Sequence, residues 1–170
     1  WIHNGFVNVD KEKMAKSLGN FVTIRDVYNR NDPEALRYFL LGVHYRGPIQ
    51  FETEKLENGR VVFPGIIEAE RRVDYLYQTL GRLASLAELA GNDDDSSAPT
   101  ARMPKEMGPL MELASAARTR VDAALDDDLN TPVALAIIGE VARAGNEVVD
   151  LAQRKRKDLE VAKSAPLVAR

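Results

Sequence analysis

Lys13-Met14-Ala15-Lys16-Ser17-Leu18-Gly19-Asn20 is the stretch around which the chain is organised. Two lysines three residues apart, followed by Ser-Leu-Gly-Asn, fit neither an amphipathic helix face nor an alternating strand. Phe6, Val7 and Val9 before it read as a short apolar strand, and Asp10-Lys11-Glu12 reads as a turn. The lysine segment is therefore expected to be an exposed loop. A loop offering two ammonium groups, a hydroxyl and a glycine is equipped to hold a polyphosphate. The lysines supply compact positive charge, and the glycine lets the backbone approach the anion. A lysine pair alone is more often solvated surface, so the weight rests on the whole string.

Outward from that loop, the aromatic residues divide the chain. Trp1, Phe6, Phe21, Tyr28, Tyr38, Phe39, Tyr45 and Phe51 all fall in the first 51 residues, and none follows Tyr77. The front is thus a compact mixed segment, and the rear is built from aliphatic helices. Asp32-Pro33-Glu34 reads as a helix start: a capping side chain, proline at the first helical position, then an acid favourable to the helix dipole. Leu36, Phe39, Leu40 and Val43 follow at helical spacing, and Gly47-Pro48 closes the unit. Thr53 is expected to cap a second helix carrying Leu56, Val62 and Phe63, with Pro64-Gly65 breaking or kinking it. The pattern then resumes as a long amphipathic helix from Ile66 through Ala69, Val73, Leu76, Tyr77, Leu80, Leu83 and Ala87 to about Gly91.

Residues 91–104 have almost no apolar side chains to bury and read as a flexible linker. A third helix is expected from Pro109 to Leu125, and a fourth is expected after a Thr131-Pro132 cap, carrying Leu135, Ile138, Ala142 and Val149. Such stripes can be buried only against one another. The expected fold is mainly α: an antiparallel helical bundle over 53–170, preceded by a small mixed segment over 1–52. The tail from Arg154 through Lys155, Arg156 and Lys157 is basic and reads first as a solvated helix end.

Composition sets outer bounds. Formal net charge is −3, so this is not a strongly basic nucleic-acid-coating chain, although local basic surface suffices to meet a phosphate backbone. There are no cysteines, hence no disulfide or thiolate metal site in this chain, and with only two histidines a complete zinc site is not expected. No apolar run approaches the length of a membrane span and none resembles a signal peptide, so a cytoplasmic protein is expected. The chain opens on Trp1, inside what reads as a strand-and-turn unit, and is expected to be a piece of a longer protein.

The lysine string resembles the Lys-Met-Ser-Lys-Ser signature of class I aminoacyl-tRNA synthetases, with Ala15 in place of the middle serine. Trp1-Ile2-His3-Asn4-Gly5-Phe6-Val7 before it, Asn20-Phe21-Val22-Thr23-Ile24-Arg25-Asp26 after it, Asp32–Leu41, and His44-Tyr45-Arg46-Gly47-Pro48-Ile49 narrow the resemblance to the cysteinyl-tRNA synthetases. Asp126-Asp127-Asp128-Leu129-Asn130-Thr131-Pro132 resembles that family again, at a junction between two helices of its anticodon-side domain. The close resemblance covers roughly residues 1–53 and 125–142.

The resemblance implies an enzyme that activates L-cysteine with ATP, magnesium accompanying the nucleotide, and transfers it to tRNA(Cys). It implies that Lys16 and Lys13 stabilise the departing pyrophosphate and that Ser17 and Met14 belong to the same ATP contact. From its own residue type, Met14 reads first as a loop anchor on apolar surface and only second as a nucleotide contact. Ala15 removes one hydroxyl but leaves the lysines. Arg25, Arg37 and Arg46 fall in a segment resembling the family's stem-contact region and are candidate tRNA contacts; the plain alternative is ion pairing with Asp26, Asp32 or Glu34. His3 and Asn4 read as the edge of a nucleotide pocket or as an ordinary strand end and turn. His44 reads as an interface or capping residue. The family's zinc uses residues outside this chain, as does its His-x-Gly-His nucleotide motif, so the isolated chain is expected to be inactive and to work, as a monomer, with a missing N-terminal catalytic half. Two rivals stand beside this reading. One is the paralogous ligase that joins cysteine to a glucosaminyl-inositol in mycothiol synthesis, which has little use for anticodon-side helices. The other is a non-catalytic helical RNA-binding module.

Overall fold

A computed structural model describes residues 1–91 and 107–168, with side chains described over 1–88 and 108–154. The linker expected at 91–104 lies, beyond Gly91, outside the described residues, as do the side chains of Lys155, Arg156 and Lys157. A small mixed sheet precedes a helical bundle, as the apolar patterning leads one to expect. In chain order the elements are β1 (Val7–Val9), β2 (Glu12–Lys13), a single 3₁₀ turn (Lys16–Leu18), α1 (Ile24–Tyr28), α2 (Pro33–Leu41) and β3 (Ile49–Phe51). They continue as β4 (Glu54–Lys55), β5 (Val61–Val62), α3 (Pro64–Gly91), α4 (Met107–Asp126) and α5 (Thr131–Val168). The chain forms two compact units, one of Trp1–Leu76 with Arg120–Ile137, the other of Tyr77–Thr119 with Ile138–Arg170.

The first unit is built on the sheet β2-β1-β3. β1 and β2 are antiparallel, joined by Asp10 and Lys11, both at positive φ (50° and 73°), as a tight hairpin turn requires. Aspartate tolerates that backbone better than most residues. Its carboxylate is also held from outside, accepting from the Thr53 amide at 2.8 Å and the Thr53 hydroxyl at 2.5 Å. β3 runs parallel to β1 with Val7, Asn8 and Val9 opposite Ile49, Gln50 and Phe51. Val9 and Phe51 turn inward to a core shared with Val27 of α1, Ala35 and Leu36 of α2, and Phe63, Ile66 and Ala69 around the start of α3. The Phe51 ring meets Phe39 at 5.1 Å and Phe63 edge-on at 6.4 Å, geometries that aromatic quadrupoles favour.

Local capping accounts for the short helices. Thr23 and Asp26 form a reciprocal capping box on α1. On α2, Asp32 accepts from the Glu34 amide at 2.7 Å and Pro33 takes the first helical position, as read from the sequence.

Three expectations are corrected. Residues 53–63 do not form a helix: β4 and β5 pair antiparallel, Glu54 with Val62 and Lys55 with Val61. Glu-Lys-Leu-Glu has good helix formers, but Asn58-Gly59 after it is a turn signal, and Gly59 sits at φ 80°. Thr53 therefore caps no helix and holds Asp10 instead. Pro64 breaks nothing either; it opens α3, where its missing N–H costs no hydrogen bond. At α5 the capping residue is Asn130 rather than Thr131, its side-chain oxygen accepting from the Val133 amide at 3.4 Å.

The second unit packs small residues: Ala142, Ala144 and Val149 of α5 are buried. A Cβ added at Gly145 would lie 3.0 Å from Leu83 Cδ1, so that glycine sets a close approach of α5 to α3. Thr79, 2% exposed, accepts from Asn146 Nδ2 at 2.6 Å, and Arg82 bonds both Asn146 and Asp150. The apolar stripes read from the sequence are narrower than expected. Tyr77, Leu80 and Ile138 are exposed, because the inward arc is taken by small residues and this polar network.

Candidate functional site

The lysine segment begins as a strand and ends as one tight turn. Lys13 is not inside the loop: it closes β2 opposite Asn8, and the ladder continues one residue further with Met14 N–H donating to Val7 C=O at 2.9 Å. The Lys16–Leu18 turn follows, with Leu18 N–H donating to Ala15 C=O at 3.1 Å. Gly19 ends it at φ 68°. Among the described residues nothing lies within 4 Å of where a Cβ would sit there, so the backbone torsion and not crowding selects glycine. Asn20 closes the whole segment. Its Oδ1 accepts from Ala15 N–H at 2.9 Å and its Nδ2 donates to Lys13 C=O at 3.2 Å.

These bonds bring Lys13, Lys16 and Ser17 together on an exposed turn, while Met14 is half-buried and packs against the core. The Lys13 ammonium lies 4.0 Å above the Phe6 ring, and that of Lys16 lies 5.8 Å from the Phe21 ring. Among the described residues neither ammonium pairs with a carboxylate. Aromatic faces hold the cations by the ring quadrupole without neutralising them, which leaves both charges available to an anion. His3 and Asn4 are exposed just before β1.

The three candidate arginines go to different places. Arg25 is exposed on α1. Arg37 lines an open groove between α1 and α2 with Ile24, Tyr28, Leu36 and Leu40. Arg46 is engaged, and not with Asp26, Asp32 or Glu34. Its Nε donates to Asp128 Oδ2 at 2.6 Å and its Nη2 to Oδ1 at 3.0 Å, a two-pronged charge-assisted pair. The Tyr45 hydroxyl donates to the same Oδ1 at 2.6 Å, and His44 Nε2 stands 3.8 Å from Oδ2. These donors, Arg46 first and Tyr45 next, lower the Asp128 carboxyl to about 2, and the same bond raises the Tyr45 phenol above its ordinary value. Asp128 and Leu129 have φ of 55° and 54°, so the α4–α5 junction is a left-handed turn that presents the carboxylate to the His44-Tyr45-Arg46 segment. Two strings read separately from the sequence, His44–Ile49 and Asp126–Pro132, are thus bonded to each other.

Sequence reasoning missed Asn20 as the closing residue, Asp128 as the partner of Arg46, and Gly5. Asn after Gly was a usable sign, since asparagine commonly bonds nearby backbone. The Arg46–Asp128 pair had none, being 82 residues apart. The zinc that the resemblance implies finds no donor set among the described residues. Nor, among them, is any helix long and apolar enough to cross a membrane.

Residues 1–61 match the tRNA synthetases class I (C) catalytic domain, and residues 120–166 match the DALR domain. The chain is 44% identical over 158 residues to a cysteine–tRNA ligase of Anaeromyxobacter dehalogenans, covering 93% of the chain and 27% of the relative. It is 37% identical over 160 residues to the cysteine–tRNA ligase of Thermodesulfovibrio yellowstonii, covering 94% and 29%. It is 40% identical over 157 residues to the chloroplastic/mitochondrial cysteine–tRNA ligase of Arabidopsis thaliana, covering 92% and 25%. The chain therefore spans roughly a quarter of the length of the relatives it matches. Two domain matches in the same chain, with these identities across more than nine-tenths of it, mean that the chain belongs to the cysteine–tRNA ligase family of class I tRNA synthetases.

Proposed function

We propose that this chain supplies the phosphate-stabilising loop and the tRNA-docking helices of a cysteine–tRNA ligase, which activates L-cysteine with ATP and transfers it to tRNA(Cys). The observation that carries the reading is the Asn20-closed turn, with two exposed ammonium groups held over aromatic rings and not neutralised by carboxylates. In cysteine activation the amino-acid carboxylate attacks the α-phosphate of ATP in line, and charge moves onto departing pyrophosphate. Catalysis then consists of positioning and of charge stabilisation.

Lys16, on the turn itself, is the principal contact to the β- and γ-phosphates. Lys13, at the end of β2, supports it. Ser17 donates a hydrogen bond, and Met14 seats the loop against the core beside the nucleotide. Magnesium arrives with ATP; zinc belongs to the remainder of the enzyme. Residues 1–52 form the signature-loop and stem-contact region, and 53–170 the anticodon-side part. Arg25 and Arg37 contact the tRNA backbone. Arg46 joins them through the part of its guanidinium not taken by Asp128, its side chain being 66% exposed. The protein works as a monomer in the cytoplasm.

The match of residues 120–166 to the DALR domain favours the tRNA ligase over the glucosaminyl-inositol ligase and over a bare RNA-binding module. The test is cysteine-dependent ATP–pyrophosphate exchange, then aminoacylation, by the full-length protein containing this chain. Charging of tRNA(Cys) with no product on glucosaminyl-inositol is expected. The opposite pattern would replace this reading with the mycothiol one.

A further inference from the structure

The Asp128 carboxylate collects three donor nitrogens and oxygens from Tyr45 and Arg46, yet the activation chemistry proposed above makes no use of it. What it holds leads directly to the lysine turn. Tyr45 C=O accepts from Gly5 N–H at 2.7 Å, and Phe6 C=O accepts from Ile49 N–H at 2.8 Å. Gly5 lies so close to Gly47 that a Cβ on it would be 2.0 Å from the Gly47 carbonyl oxygen. The segment 44–49 therefore fixes where β1 begins and its register on β3. β1 in turn accepts the Met14 amide at Val7 C=O, and Met14 is the residue at which the lysine turn leaves the sheet.

Three-residue strands have little stability of their own, so such a sheet takes its geometry from what anchors its ends. At this end the anchor is Asp128. We infer that Asp128 is a positioning residue for the lysine loop: by clamping Tyr45 and Arg46 it sets β1 against β3 and so the attitude of the Lys13–Asn20 turn. This inference rests on the phosphate role proposed for Lys16.

The left-handed φ of Asp128 makes the test clean. Asparagine accepts that backbone readily, so Asp128→Asn keeps the turn and removes the charge, whereas alanine would strain it. Amide hydrogen exchange of the 170-residue chain is compared between wild type and Asp128→Asn. The expected result is roughly tenfold faster exchange at Gly5, Met14, Ala15 and Ile49, with Asn31 and Leu36 of the same unit unchanged. Tyr45→Phe, which removes one donor, is expected to give the same pattern at smaller amplitude. Acceleration spread evenly over Asn31 and Leu36 as well would show a residue that merely stabilises the fold. No acceleration at Met14 and Ala15 would show that the clamp does not reach the loop. Either result overturns the inference.

Titration with inorganic pyrophosphate, followed at the Lys16 and Ser17 amides, separates this from the reading beneath it. Asp128→Asn is expected to weaken binding several-fold. Lys16→Ala leaving pyrophosphate binding intact would remove the phosphate role alone, and the exchange data would still decide the clamp.

Discussion

Gly5→Ala is the substitution with the largest effect for its size. The new methyl carbon would lie 2.0 Å from the Gly47 carbonyl oxygen, 2.4 Å from its carbon and 2.9 Å from Pro48 N. All three are backbone atoms, so no side chain can rotate away, and Pro48 and β3 hold them in place. β1 must retreat, which breaks the Gly5 N–H bond to Tyr45 C=O. Overpacking of this kind costs about 1–3 kcal/mol and the lost hydrogen bond about 1 kcal/mol, together about 2–4 kcal/mol. At a urea dependence of about 2 kcal/mol per molar, that lowers the unfolding midpoint of the first unit by about 1–2 M. Gly19→Ala is the contrast: it meets open space and bears only the torsional cost of φ 68°, about 1–2 kcal/mol. Urea unfolding followed by circular dichroism and by exchange within residues 1–76 measures both. Gly5→Ala as stable as wild type would refute the close β1–Gly47 approach.

Three further outcomes are expected. Ile66, with no exposed surface, should cost about 2–5 kcal/mol when cut to alanine, read from the same urea curves. Asp128, with its carboxyl lowered from 3.8 to about 2, contributes stability that is complete above the ordinary carboxylate range and lost as pH falls from about 4 toward 2. The stability gap between wild type and Asp128→Asn should therefore be constant from pH 7 to 5 and close below 4; a gap independent of pH would rule out the charged pair. The 170-residue chain by itself should give no cysteine-dependent ATP–pyrophosphate exchange, since its sequence has neither a cysteine nor a His-x-Gly-His string, and measurable exchange would show the site to be complete within it.

Much of the fold was readable because the signals were local. Asp32-Pro33-Glu34 carries its own cap, and Asp10-Lys11 lies between strands that need a turn. The hairpin over 54–62 was misread because Glu54-Lys55-Leu56-Glu57 favours helix by composition, while the decisive Asn58-Gly59 governs only two residues. The helix faces shifted for a related reason. Thr79, Arg82, Asn146 and Asp150 look like surface in sequence, yet together they form a polar contact in which Thr79 is buried, and that turns Leu80 outward. At the candidate site the lysines were legible from their string. The bonds that shape it were not: Asn20 reaches back seven residues and Asp128 reaches across 82, and neither distance has a periodicity to betray it.

Single-turnover kinetics of Lys16→Ala in the full-length enzyme tests the phosphate role of the lysine turn. An ammonium aimed at a phosphate whose charge grows in the transition state stabilises that state more than the bound substrates. Its loss should slow cysteine activation about a hundredfold, equivalent to about 3 kcal/mol, with little change in cysteine affinity. Lys13→Ala should cost less. Transfer of preformed cysteinyl-adenylate to tRNA(Cys) should be nearly unchanged, because pyrophosphate has already left. Intact activation with slowed transfer would rule out the phosphate role and make the lysine turn a tRNA contact.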